Sequence, residues 1–242
     1  MSEAPPVPPE EFRALIGIPD RDEFLAPPNP DLLAPATARR VLDLGCGCGR
    51  LARWFLTLDP RPERYLGLDI HKQMIDWDAE NLVAPGFEFV HQDVLSLRLN
   101  PDGAHQVVPF PDGGDDFTLI IAASVFTHLV EDQTVFYLDE VARVLGPDGV
   151  LFSTWFLFEK DDFPMMQDFQ NALYINPVDP TNAVIFDQTW LLDQLAARGL
   201  AIAKAVPPAI KGFQWELWIR QGGAHVDLPS DLAPVGRKPP PL

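Results

Sequence analysis

Short apolar runs alternate along the chain with longer segments whose apolar residues recur at helical spacing. Three such runs, at 41–44, 65–68 and 117–123, are typical of strands buried on both faces of a parallel sheet. The segments at 51–58 and 71–82 place their apolar residues mainly on one face, as amphipathic helices do. Strands that alternate with helices in this way predict an α/β fold.

Four more strands complete the predicted sheet of seven, at 86–90, 150–158, 200–206 and 213–219. Apolar and polar side chains alternate in the last of them, as in a strand with one buried face. Further helices are predicted at 10–16 and 189–198, and another should end at the Gly-Pro-Asp-Gly turn at 146–149. Residues 98–116 are rich in turn-forming residues and predict a long surface loop.

A glycine-rich turn follows the first strand. Gly45, Gly47 and Gly49 form a Gly-x-Gly-x-Gly pattern, preceded by Asp43, that leads into the helix at 51–58. Because glycine has no Cβ and readily adopts φ > 0, the backbone can turn sharply here and a ligand can approach it closely. The N–H groups at the helix start suit a nucleoside-bearing ligand. Glycine also occurs at ordinary strand-to-helix turns, so the pattern alone is a weak signal.

Asp69 ends the second strand, 20 residues beyond Gly49. In a β-α-β unit this separation brings the strand tip alongside the glycine-rich turn, where a carboxylate can accept hydrogen bonds from both hydroxyls of a ribose. The alternative is a solvated acid in a loop. The dinucleotide fingerprint Gly-x-Gly-x-x-Gly is absent, because it requires glycine where this chain has Arg50.

Thirty-five acidic residues against 18 basic ones give a net charge of −17. This charge repels phosphate backbones and anionic lipid surfaces, so neither a nucleic-acid substrate nor a membrane partner is expected. The N-terminus lacks the basic and apolar regions of a signal peptide, so we expect a soluble cytoplasmic protein. Cys46 and Cys48 are too close for an easy disulfide and lack the second cysteine pair of a zinc site, so no metal is expected.

Residues 41–50, VLDLGCGCGR, resemble the first motif of the class I, or Rossmann-like, S-adenosylmethionine-dependent methyltransferases. SVFTHL at 124–129, YLDEVARVLGPDG at 137–149 and VLFSTWFLF at 150–158 resemble a bacterial subgroup that methylates small molecules and glycans. The resemblance covers roughly residues 40–158. It implies an α/β fold with a seven-stranded, mostly parallel sheet, helices on both faces and an antiparallel C-terminal hairpin.

The resemblance also implies S-adenosylmethionine as the cofactor and a small-molecule or glycan acceptor, which we expect to be methylated at a hydroxyl. Asp93 would meet the adenine amino group, the amide of Val94 a ring nitrogen, and the region of Ala123 and Ser124 the amino group of the methionine moiety. The cofactor-binding residues implied are Asp43, Gly45, Cys46, Gly47, Asp69, Ile70, Asp93, Val94, Ala123 and Ser124. Where the subgroup ends a Gly-Phe-Gln-Asp motif with an acid, this chain has Trp215.

A hydroxyl acceptor must lose its proton, so a base with a pKa near neutrality is expected beside it. His128 is our candidate, four residues beyond the start of the SVFTHL motif, close after the strand end that borders the donor methyl group in the resembled family. The alternative is a histidine that packs or hydrogen-bonds at the start of the next helix.

We divide the chain into an N-terminal arm, residues 1–38, a methyltransferase domain, 39–220, and a flexible tail, 221–242. The proline-rich arm is expected to be either a lid over the nucleoside pocket or a passive arm. Within the domain, the aromatic-rich insertion at 155–188 is expected to cap the acceptor site, with core packing by a connecting loop as the alternative.

Two other functions stay open. A NAD(P)-dependent oxidoreductase uses a related sheet, but Arg50 and the C-terminal hairpin disfavour it. A cofactor-binding scaffold that has lost turnover is the other, and Trp215 is the departure that suggests it. The acceptor, the atom methylated and the oligomeric state are open as well.

Overall fold

The computed structural model describes residues 4–34, 37–111, 116–160, 165–209 and 213–228. The chain forms two compact units. The first unit comprises Met1–Ala122 and Val144–Val150, and the second comprises Ala123–Arg143 and Leu151–Leu242.

The sheet of the first unit holds four parallel strands in the spatial order β3, β2, β1, β4. They are β1 (Arg40–Leu44), β2 (Arg64–Asp69), β3 (Phe87–His91) and β4 (Phe117–Ala122). Leu42 of β1 lies in register with Leu66 of β2 and with Ile120 of β4, and none of the three is more than 1% exposed. The apolar runs are therefore confirmed as buried strands, as their pattern predicts.

The helices of the first unit are α1 (Glu10–Leu15), α2 (Arg21–Leu25), α3 (Arg50–Thr57) and α4 (Lys72–Asn81). Helix α3 begins after Gly49, and α4 begins after His71, whose Nδ1 accepts a hydrogen bond from the N–H of Met74. Helix α2 escapes prediction because it has only five residues, too few to show a helical period. In the ranges that the structure describes, no helix is long and apolar enough to span a membrane.

The second unit contains α5 (Glu131–Val144) up to Arg143 and β5 (Leu145–Phe158) from Leu151 onward. There β5 pairs in parallel with β7 (Val184–Asp187), and β7 pairs antiparallel with β6 (Ala172–Tyr174). Helix α6 (Gln188–Ala196) follows, and β8 (Leu200–Val206) and β9 (Trp215–Gln221) then form an antiparallel hairpin. Strand β9 also pairs with β5.

The fold has the predicted class, with a mostly parallel sheet, antiparallel strands and a C-terminal hairpin. The described residues form nine strands where seven were predicted, because β6 and β7 lie within the segment 155–188. Strand β5 also begins earlier than predicted and includes the expected turn at 146–149. A Cβ on Gly149 would lie 2.5 Å from the carbonyl oxygen of Phe117, so this glycine serves a close approach of two backbones.

The predicted surface loop at 98–116 is described up to residue 111. An isolated bridge between Val94 and His105 ties it to the segment that follows β3. Phe110 is 2% exposed, so the loop also contributes one aromatic side chain to the core. The prediction of a surface loop is therefore wrong at Phe110, because a turn-rich composition does not show which single side chain is buried.

Candidate functional site

The glycine-rich turn, residues 45–49, joins β1 to α3 through three left-handed residues. The φ angles are 75° at Gly45, 58° at Gly47 and 72° at Gly49. The turn is fastened to β2, because the N–H groups of Gly45 and Cys46 donate to the carbonyl oxygen of Leu68 at 2.7 and 3.0 Å. Residues with a Cβ are strained in this conformation, which explains glycine at the three positions.

The carboxylate of Asp69 joins the tip of β2 to the same turn. Its Oδ2 accepts a hydrogen bond from the N–H of Gly47 and its Oδ1 from the N–H of His71, both at 2.8 Å. Burial raises the pKa of Asp69, and the two backbone hydrogen bonds oppose that rise. A carboxylate has about four acceptor positions, so each oxygen keeps capacity for a ligand hydroxyl. The predicted approach of Asp69 to the turn is present, and its binding role stays a prediction.

Asp43 lies inside the sheet behind the turn and is 2% exposed. The hydroxyl of Tyr65 donates to its Oδ2 at 2.5 Å. Burial raises the pKa of Asp43 to about 7, although the hydrogen bond from Tyr65 opposes the shift. The structure therefore gives Asp43 a partner within the core, beneath the backbone that a cofactor would contact.

The two cysteines of the turn are free and buried. Burial raises the pKa of Cys48 to about 12 and that of Cys46 well above its usual value. Both side chains are therefore protonated thiols at neutral pH. Cys48 packs with Phe24 and Met74 in one apolar cluster, as expected of a small residue that fills space in a turn.

Asp78 is a buried acid beside the turn that sequence reasoning missed. It lies on α4 and is fully buried, and its Oδ1 has no hydrogen-bond partner in the described structure. The thiol of Cys46 lies 4.0 Å from its Oδ2. Burial raises the pKa of Asp78 to about 9, with smaller contributions from the charges of Asp69 and Asp43. Its helical spacing from Met74 and Leu82, four residues to either side, is the signal that places it on the inner face.

The residues expected near adenine follow β3. Asp93 accepts a hydrogen bond on Oδ1 from the side-chain amide of Asn100 at 3.2 Å. The N–H of Val94 donates to the carbonyl oxygen of Gln92 at 2.7 Å. The carbonyl oxygen of Ile70 lies 3.1 Å from Nε2 of His91. Since β2 and β3 are parallel neighbours, these segments lie at the same edge of the sheet as Asp69.

The N-terminal arm packs against the glycine-rich turn. A Cβ on Gly47 would lie 3.0 Å from Cγ2 of Ile16, and the rings of Phe12 and His71 meet edge to face at 5.9 Å. Arg53 of α3 fixes the start of the arm, donating from Nε to the carbonyl oxygen of Pro6 and from Nη2 to that of Pro5, both at 2.5 Å. The arm is thus ordered against the turn through side chains of α1 and the first turns of α3.

Ala123 and Ser124 open the second unit, directly after the last residue of β4, and both are exposed. Ser124 has a φ of 57°, which is rare for a residue with a Cβ. Its N–H donates to Oγ1 of Thr154 at 2.7 Å, and its Oγ lies 3.1 and 3.0 Å from Oε1 and Nε2 of Gln214. These contacts hold a strained backbone, a feature that clusters at functional sites.

His128 lies in a 3-10 turn, Phe126–His128, and is exposed. Its Nδ1 is 2.9 Å from the carbonyl oxygen of Thr181. A carbonyl oxygen only accepts, so Nδ1 carries the hydrogen, and in the neutral ring Nε2 is left with a free lone pair. The structure thus gives His128 the tautomer that a general base requires at Nε2.

The first unit fits an adenosyl-bearing cofactor in the chemistry of its donors. It offers a turn without Cβ atoms at its three glycines and a carboxylate, Asp69, joined to that turn. Among the described side chains, no group of three or more histidine, cysteine, aspartate or glutamate residues is arranged to hold a metal ion.

Residues 42–153 match a family model described as a methyltransferase domain. The chain is 36% identical over 121 residues to a fatty-acid O-methyltransferase of Mycolicibacterium smegmatis. It is 33% identical over 119 residues to a phthiotriol/phenolphthiotriol dimycocerosates methyltransferase of Mycobacterium ulcerans. These matches cover 50% and 49% of this chain and 38% of each relative, so the chain spans well under half the length of either.

A TehB-like S-adenosylmethionine-dependent methyltransferase from Corynebacterium glutamicum is similar in structure, with a TM-score of 0.50 and 21% sequence identity. The superposition covers 80% of this chain and 85% of that one. At this level of identity the likeness shows a shared fold.

Proposed function

We propose that this chain transfers the methyl group of S-adenosylmethionine to a small-molecule acceptor, and the match of residues 42–153 to the methyltransferase domain model supports the proposal. The observation that carries the proposal is the hydrogen bond from Gly47 to Asp69, which joins the glycine-rich turn to a strand-end carboxylate. That pair offers a close backbone approach and ribose acceptors in one place.

We assign the parts of the cofactor as follows. The glycine-rich turn holds the methionine end, Asp69 the ribose and Asp93 the adenine amino group. Ala123 and Ser124 receive the amino group of the methionine moiety. The arm, held against the turn by Arg53 and by Ile16, is the lid over this site. When bound, the cofactor supplies an electrophilic methyl group on a sulfonium.

Transfer of that methyl group is an in-line displacement, so the main task of the protein is to position the acceptor. We propose a hydroxyl acceptor, whose proton is taken by Nε2 of His128. The hydrogen bond from Nδ1 to Thr181 fixes the ring and leaves Nε2 unprotonated in the neutral form. The inserted segment 155–188, with Phe169 78% exposed, is proposed as the cap of the acceptor site.

The relatives named above support an acceptor with an apolar chain more than a glycan, since the name of the first specifies a fatty acid. The scaffold alternative receives no support from Trp215. That side chain is 1% exposed and lies in β9, so it packs the core of the second unit. Its replacement of an acid is explained by packing.

Calorimetry with S-adenosylhomocysteine and with NADH tests the cofactor, and transfer of label from S-adenosylmethionine tests the activity. We expect S-adenosylhomocysteine alone to bind. The variant His128→Ala should bind it normally and lose about 10²- to 10⁴-fold in turnover, the usual contribution of a general base. His105→Ala, at an exposed loop histidine, is the matched control and should keep full turnover. Absence of S-adenosylhomocysteine binding refutes the function, and unchanged turnover of His128→Ala refutes the base.

A further inference from the structure

An open cavity of about 450 Å³ lies in the second unit beside the start of β9. It is lined by Phe156, Pro208, Ala209, Phe213 and Gln214. Four of these five residues are apolar, and the volume falls in the range of small-molecule sites, roughly 300–1,000 Å³. Phe213 is 62% exposed, so most of its ring is free to cover an occupant.

Among the described lining residues, the polar side chain is that of Gln214. Its amide contacts Oγ of Ser124, at 3.1 Å from Oε1 and 3.0 Å from Nε2. A primary amide has two N–H donors and an oxygen with two lone pairs, so Gln214 keeps hydrogen-bonding capacity beyond its serine partner. Ser124 itself is held in a left-handed conformation by Thr154, which fixes the position of this polar pair.

The lining chemistry selects among classes of ligand. Four of the five described lining residues present apolar surface, so an ionic ligand would lose hydration against them. A sugar would bring several hydroxyls against the four apolar residues that the structure describes in the lining, which would leave the hydroxyls that face them without partners. A molecule with an apolar body and a single neutral hydroxyl can pack against the apolar lining residues and hydrogen-bond to Gln214.

We propose that this cavity binds the acceptor, a neutral apolar alcohol whose hydroxyl is held by Gln214 and whose body lies against Phe156 and Phe213. This inference rests on the proposed function, because it names the class of acceptor for that reaction. The binding itself is measurable in the absence of the cofactor.

The test is equilibrium binding of 1-decanol to the full chain, compared with decanoate and with methyl α-glucopyranoside. We expect one decanol per chain, and at least about tenfold weaker binding of the other two probes. Phe213→Ala should weaken decanol binding about tenfold, which corresponds to a lost contact of roughly 50 Å² of apolar surface. Leu97→Ala removes an apolar side chain of similar exposure, 61%, that does not line the cavity, and it should leave decanol binding unchanged.

Gln214→Ala should weaken binding of decanol more than that of decane, because only the alcohol uses the amide. Equal losses for both probes overturn the role of Gln214. Tighter binding of decanoate or of the glucoside, or an unaffected Phe213→Ala variant, overturns the acceptor class. Binding of S-adenosylhomocysteine is measured by calorimetry in parallel. If decanol binds and S-adenosylhomocysteine does not, the proposed function is refuted and the cavity remains a binding site for the alcohol. If S-adenosylhomocysteine binds and decanol does not, the cavity assignment is refuted and the proposed function is retained.

Discussion

Replacing Asp78 by asparagine removes a titrating group from the interior of the first unit while keeping the size of its side chain. The carboxyl group is fully buried on α4, and its Oδ1 lacks a partner among the described residues. Burial raises its pKa to about 9, and the charges of Asp69 and Asp43 add to the shift. The folded protein therefore keeps Asp78 protonated at neutral pH, whereas the unfolded chain ionises it.

The sign of the effect on stability follows from the bound protons. Below pH 3.8, the ordinary pKa of an aspartate, both states hold the proton and stability does not depend on pH through this group. Between that value and about 9 the unfolded chain has lost the proton and the folded chain has kept it, so the free energy of unfolding falls by about 1.4 kcal/mol per pH unit. From pH 5 to pH 8 the loss amounts to about 4 kcal/mol.

Asparagine does not titrate, so the free energy of unfolding of Asp78→Asn minus that of the wild type should rise by about 4 kcal/mol over the same interval. Urea denaturation at pH 5, 6.5 and 8 measures it, and Asp43 and Asp69 are present in both proteins. Asp76→Asn is the control on the same helix, because that carboxylate is 55% exposed and paired with Lys72. Its difference from wild type should stay nearly constant. A difference for Asp78→Asn that is flat with pH would refute the reasoning.

Two further substitutions test the turn and the arm. Gly49→Ala should destabilise the protein by about 1–3 kcal/mol more than Gly199→Ala does, as measured by chemical denaturation. Both glycines have φ near 70°, but a new Cβ would meet a neighbouring atom, of Leu82 at 2.2 Å, only at Gly49. Equal losses of stability would show that the cost comes from the φ angle and not from this contact. Arg53→Ala should raise the rate of amide hydrogen exchange in the arm severalfold, because it removes the hydrogen bonds from Arg53 to Pro5 and Pro6. Arg39→Ala is the control, because it breaks only an exposed ion pair and should leave exchange in the arm unchanged. Equal protection of the arm in both variants would show that Arg53 does not hold it.

The parts of the site that local pattern determines were predictable. The three apolar runs gave β1, β2 and β4, and the distance from Gly49 to Asp69 placed the carboxylate next to the turn. Strands β6 and β7 were not predictable, because strands of three and four residues carry too short an alternation to be distinguished from a loop. The complete burial of Asp78 was not predictable either, because tertiary packing decides whether a polar position on a helix is covered.

Ser124 shows why the conformation of one proposed site residue resists prediction more than that of the glycine-rich turn does. Its position after β4 follows from the motif, but its φ of 57° depends on Thr154 and Gln214, which lie 30 and 90 residues away in sequence. The conformation of a glycine-rich turn can be predicted from its composition, because glycine is the residue that tolerates left-handed φ without strain. A serine in the same conformation is held there by its partners, so the strain belongs to the tertiary structure. Ser124 also contacts the side chain of Gln214, so the strained backbone of the motif is connected by one hydrogen-bonded contact to the residue that we propose to hold the acceptor.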